Sequence, residues 1–175
     1  MRVDPGSIFA SAAAALLAIF AASAAAAPQP PLVVTADRST AISFPDSNRT
    51  QATYEGSVVI TRGAATIHGE RAIVYMKNQH LDRAVVTGTP ATFTWLPQQG
   101  APVHGSAATI TYLAISDTVV LTGKVTVQRG METFSSAEAR YALKTGTLAA
   151  HGGSGAAPGR VHVVVPPPPS TDNHP

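Results

Sequence analysis

Two histidine-glycine pairs, His68-Gly69 and His104-Gly105, are the first residues in this chain to suggest chemistry, because imidazoles on neighbouring strands can converge on a metal ion. A zinc site needs three or four protein ligands of suitable type. No third ligand shares the repeat position and the chain has no cysteine, so the histidines read as corner residues and no metal site is expected. Acid-base catalysis would need two carboxyl groups on one inward face, yet Asp37, Asp82 and Asp117 fall at separate corners. A nucleophilic serine is equally unsupported, since there is no G-x-S-x-G elbow and no alternation of strands with helices to hold one. Arg62 and Arg129 hold equivalent repeat positions, where a guanidinium group can meet a lipid phosphate, but they read first as solvated strand ends. These residues point away from an enzyme and from any cofactor.

The elements that carry them are short strands. The stretch from Tyr54 to Gly88 is restated from Thr122 onward: Gly56, Arg62, Gly63, Ala72 and Lys77 recur as Gly123, Arg129, Gly130, Ala139 and Lys144 without a gap. A third, partial copy lies between them, His104-Gly105 followed by the run Ala107 to Tyr112. Repetition of glycine-punctuated strands every ~31 to 36 residues implies stacked β rungs with a core running lengthwise through them. Helical periodicity is absent, and β-branched residues dominate at strand spacing. Alternation is strict at Ala91-Thr92-Phe93-Thr94-Trp95, where one face is apolar and the other carries threonine. Val119, Leu121, Val125 and Val127 keep one parity across Gly123.

Length and composition bound the rest. The chain has 175 residues, of which 45% are hydrophobic, 6% aromatic and 13% charged. Scarce charge suits a β structure whose solvent face is Thr, Ser, Gln and Gly. The net charge of +2 comes from scattered cations rather than a stripe, which argues against nucleic-acid binding. Without cysteine there is no disulfide framework, so stability must come from burial and strand pairing. Residues 1–27 have Arg2, an apolar run from Ile8 to Phe20 and small residues at every candidate cleavage position, the pattern of a secretory signal peptide. Residues 28–166 form the expected single domain. The strand expected over Arg160 to Val165 is stopped by Pro166 to Pro169, since proline cannot donate to a ladder, and 167–175 is an expected disordered tail.

The order of words from Pro90 to Gly123 carries a resemblance. GTPATF (88–93), PVHG (102–105), ITYLA (110–114) and DTVVLTG (117–123), with GSVVITRG (56–63), the Ala-Asp step at 36–37 and GRVHVVVP (159–166), resemble the OstA-like family of periplasmic lipopolysaccharide-transport proteins over residues 31–166. The resemblance implies an all-β fold, an OstA-like β-jellyroll of about 14 to 16 short antiparallel strands opened slightly into a V. It also implies an apolar interior that shelters the acyl chains of lipid A. The implied partners are lipopolysaccharide, LptC, the N-terminal periplasmic domain of LptD, and further copies of the chain joined head to tail.

By position, the family's lipid contacts fall on Leu32, Phe93, Tyr112 and Ala114. Alternation adds Val34, Val58, Ile60, Trp95, Ile110, Leu121, Val125 and Tyr141 to the expected lining, with Val119, Val127 and Leu143 on the same parity. Each would equally serve as an ordinary core residue. The first and last strands, Leu32 to Thr35 and Arg160 to Val165, are expected edges at opposite ends of the stack, with unpaired backbone groups that invite another strand. Two other readings remain open: an LptC-like subunit that keeps residues 1–27 as a membrane anchor, and a β-solenoid that binds glycans or is purely structural.

Overall fold

The computed structural model describes residues 30–152 and 159–165. The expected signal peptide, most of the glycine-rich loop after Gly152 and the proline-rich tail lie outside the described residues. Ten strands follow one another: β1 (Leu32–Thr35), β2 (Arg38–Phe44), β3 (Arg49–Arg62), β4 (Ala65–Lys77), β5 (His80–Trp95), β6 (Val103–Leu113), β7 (Thr118–Arg129), β8 (Glu132–Ala142), β9 (Thr147–His151) and β10 (His162–Val164). They form one antiparallel sheet in the order β1-β3-β4-β5-β6-β7-β8-β10, with β2 beside β3 and β9 beside β8. No helix of the described residues is long and apolar enough to cross a membrane.

Strands β3 to β8 are each broken midway, so each supplies two of the short strands expected from the sequence. The ladder shifts between Glu55 and Val58 in β3, His68 and Arg71 in β4, Thr87 and Ala91 in β5, Ser106 and Thr109 in β6, and Thr122 and Val125 in β7. These breaks fold the sheet over on itself into two layers, the arrangement of a jellyroll. The first layer holds β1, β10 and the halves 58–62, 65–68, 91–95, 103–106, 125–129 and 132–136. The second holds β2, β9 and the halves 49–55, 71–77, 80–87, 109–113, 118–122 and 138–142.

The repeat explains how two of the strands bend. Gly56-Ser57 and Gly123-Lys124 occupy the break in β3 and in β7, with φ of 79° and 42° in the first pair and 83° and 51° in the second. Two successive left-handed residues reverse the local twist, and glycine takes the first without steric penalty. Asp37 closes over the earlier break, its N–H donating to the carbonyls of Glu55 and Gly56, both at 3.1 Å. This is the Ala-Asp step seen in the sequence.

Burial follows the fold-over. The core gathers one face of each layer, and Phe93, Ile110, Leu121, Val58, Val86, Val103, Val119, Val125 and Val127 are its largest fully buried side chains. Gly105 is required there for space: a Cβ at that position would sit 2.7 Å from Cδ2 of Leu121 and 3.5 Å from Cδ1 of Phe93. The glycine of the PVHG word therefore leaves room for two core side chains. β2 and β10, by contrast, are exposed along their whole length.

Candidate functional site

The candidate site is the seam between the layers. Phe93 of the first layer meets Tyr141 of the second, ring centroids 6.2 Å apart and tilted by 53°, and Arg62 of the first lies over Tyr112 of the second at 5.2 Å. Both contacts join a strand to one three places further along the sheet order, β5 to β8 and β3 to β6. The layers are thus stacked with an offset, and among the described residues the opening strands of the second layer have β1 above them. There the interior opens in a cavity of about 500 Å³ lined by Leu32 and Val34 from above and by Ala52, Tyr54, Val74, Met76 and Leu81 from below, with Pro30 and Arg62 at its edge.

Of the expected lining, Val58, Ile60, Phe93, Ile110, Tyr112, Ala114, Leu121, Val125 and Tyr141 are buried in the core, and Leu32 and Val34 line the open end. Trp95 and Leu143 pack at the margin, beside a second gap of about 210 Å³ between the strand tips. Sequence reasoning missed Tyr54, Val74, Met76 and Leu81 at the mouth. Their signal is blurred because Ala72-Ile73-Val74-Tyr75-Met76 is apolar on both faces, so alternation does not single out the inward set.

The interior is apolar. No polar or charged side chain is fully buried among the described residues, apart from the phenols of Tyr112 and Tyr141, whose bodies pack in the core. The Tyr112 hydroxyl donates to Oδ1 of Asp117 at 2.5 Å. Burial above all, then that hydrogen bond and the carboxylate charge, push the Tyr112 phenol well above its usual range, against the opposing pull of Arg62. Burial raises Tyr141 as well, against the Arg129 charge. A phenol kept neutral is what a water-poor interior requires.

Two expectations need correction. Arg62 is not a solvated strand end: it is half-buried, lines both the mouth and the tip gap, and makes a cation–π contact with Tyr112. Only the layer offset places it there, which the repeat alone cannot reveal. Arg129 is likewise half-buried, but it is paired with Glu132 at 3.0 Å. His68 is the last paired residue before the break in β4, so it does stand at a corner, whereas His104 lies within β6 before its break; both side chains are exposed, and His104 Nδ1 lies 3.4 Å from the Thr94 hydroxyl. Among the described residues no three metal-ligating side chains gather.

A once-folded antiparallel sheet closed over a lengthwise apolar seam defines the class of the protein: an OstA-like β-jellyroll. The family model described as LptA/(LptD N-terminal domain) LPS transport protein matches residues 34–147, and the chain belongs to that family. The lipopolysaccharide export system protein LptA of Escherichia coli K12 is 28% identical over 123 residues, covering 66% of each chain, and the Shigella flexneri protein of the same name matches equally. The match therefore spans just under two thirds of those relatives' length. Among solved structures, LptH of Pseudomonas aeruginosa, the LptA-homologous periplasmic component of a lipopolysaccharide transport device, superposes with a TM-score of 0.66 at 24% identity, covering 79% of this chain and 96% of that one. These relatives are named for transport, not for catalysis.

Proposed function

We propose that the protein is a periplasmic lipopolysaccharide carrier and bridge subunit, which shelters the acyl chains of lipid A between its layers and passes the lipid from the inner toward the outer membrane. The observation that carries this reading is the apolar seam that opens at the β1 end onto Leu32, Val34, Tyr54, Val74, Met76 and Leu81. Each methylene removed from water contributes about 0.8 kcal/mol, so an acyl chain of about a dozen carbons resists crossing an aqueous gap by ~10 kcal/mol. A seam continued from subunit to subunit removes most of that barrier with no bond made or broken. Tails enter at the mouth and reach Phe93, Tyr112 and Ala114 as the layers part.

Continuity comes from the edges. Among the described residues β1 pairs only with β3 and β10 only with β8, and strand addition there joins copies head to tail, a heterologous contact that extends rather than closes. At the two ends of such a bridge the partners are LptC and the N-terminal domain of LptD. A photo-crosslinking residue placed in living cells at Phe93 is expected to label lipopolysaccharide, and one at the exposed Val33 of β1 to label a protein neighbour. Absence of lipid label at Phe93, with the protein folded and exported, sinks the carrier reading. Export proceeds by cleavage of residues 1–27, so N-terminal sequencing is expected to begin near Pro28; an intact Met1 would favour the anchored, LptC-like alternative.

A further inference from the structure

A broad concavity among the described residues lies on the outer face, not in the seam. It occupies about 620 Å³ at the tip of the second layer, and its charged lining is Arg49, Lys77, Arg83 and Asp82. Strand register makes it cationic by construction. Arg49 and Lys77 are direct cross-strand partners in β3 and β4, and Tyr75 is opposite Arg83 in β4 and β5. Gln51 and Tyr75 are likewise partners and share the outward face with the three cations, while Ala52 and Val74 face the core. Arg83 lies over the Tyr75 ring, 4.1 Å from its centroid, and is tied loosely to Asp82 at 3.6 Å. Arg49 and Lys77 make no ion pair among the described residues.

Like charges directly opposed on antiparallel strands destabilise a sheet. Elsewhere the molecule offsets its charges: Arg71 of β4 has Glu55 of β3 as its direct partner, at 3.7 Å, and Arg129 has Glu132, at 3.0 Å. At the second-layer tip the opposing pair is instead cation to cation, with a stacked guanidinium beside it and a hollow between. Three cations lining one hollow with a single carboxylate leave an excess of positive charge that suits a dianionic oxygen cluster, and guanidinium groups match phosphate in geometry and charge. Met76 borders both this hollow and the apolar mouth. One amphiphile can therefore place tails on the inner side of Met76 and an anionic group around the strand tip.

We propose that Arg49, Lys77 and Arg83 form a phosphate-binding site that holds the phosphorylated headgroup of a lipid whose tails lie in the mouth. The site rests on the carrier reading for its lipid, but not for its phosphate chemistry. The test compares wild type with Arg49→Gln/Lys77→Gln by equilibrium binding of diphosphoryl lipid A, of dephosphorylated lipid A and of inorganic pyrophosphate. The double variant is expected to lose about tenfold in affinity for diphosphoryl lipid A, to bind the dephosphorylated lipid like wild type, and to lose the pyrophosphate binding that wild type shows. Because the variant removes a like-charge pair, its Tm at low salt is expected to rise by about 1–3 °C, which separates loss of binding from loss of fold. If both proteins bind both lipids alike, the headgroup site is wrong while the carrier reading stands. If the variant loses pyrophosphate but not lipid A, the phosphate comes from a soluble source and the lipid assignment is overturned. If wild type binds neither lipid, the carrier reading fails, and a pyrophosphate titration indifferent to the two replacements then overturns the phosphate site as well.

Discussion

Replacing Phe93 by alanine is expected to lower the free energy of unfolding by about 3–5 kcal/mol, a large share of the roughly 5–15 kcal/mol that holds a domain together. Three observations set the size. The ring is 1% exposed, it makes the cross-layer contact with Tyr141, and the space beside it is kept by Gly105, which has no side chain with which to fill a cavity. The neighbourhood therefore collapses poorly, and a poorly collapsing site lies at the upper end of the range for large-to-small changes. Urea unfolding followed by circular dichroism checks it, with a lower midpoint and an unchanged slope expected. Phe93→Leu, which keeps most of the volume, is expected to cost under about 1.5 kcal/mol. A loss below about 1 kcal/mol for the alanine variant would mean that the two layers do not depend on this ring. The leucine variant also separates the two roles given to Phe93, since it preserves an apolar wall for an acyl chain while removing the aromatic contact.

What the sequence made legible was the part of the fold written in glycine and in parity. Gly56 and Gly123 mark the breaks in β3 and β7 because a left-handed bend admits few other residues, and these two breaks leave parity intact. Val119, Leu121, Val125 and Val127 are accordingly all buried, as their common parity implies. In β6 the break shifts parity, from Val103, Gly105 and Ala107 inward on one side to Ile110 and Tyr112 on the other. The sequence shows Ile110 and Tyr112 on a common face but not the inversion that precedes them. The mouth was not legible, because residues 72–76 are apolar on both faces and nothing local says which face a distant strand will cover. Arg62 and Arg129 look identical in the repeat yet end with different partners, since the stacking offset puts Tyr112 beneath one while the other pairs with Glu132. A repeat encodes rungs. How far one layer slides over the other is a property of the closed sheet.

Raising the pH beyond ~10 is expected to weaken the protein by at most about 1.4 kcal/mol per pH unit for each of Tyr112 and Tyr141. The sign follows from which form the fold prefers. Burial keeps both phenols protonated in the folded state beyond their usual range, while the unfolded chain releases those protons near the ordinary value. Above that value the unfolded state binds fewer protons than the folded one, so stability falls as pH rises; below it both states are protonated and these groups give no slope. Near-ultraviolet absorbance is expected to show the phenolate of Tyr112 appearing together with unfolding rather than before it, and Tyr112→Phe is expected to remove its share of the slope. Asp117→Ala tests the same contact from the other side. It leaves the hydroxyl at the tip of the seam without the acceptor that lies 2.5 Å away, which costs about 1–3 kcal/mol at neutral pH unless water replaces the carboxylate. A Tyr112 that titrated freely in the folded protein would show that water already reaches the seam, and a wet seam gives an acyl chain no reason to stay.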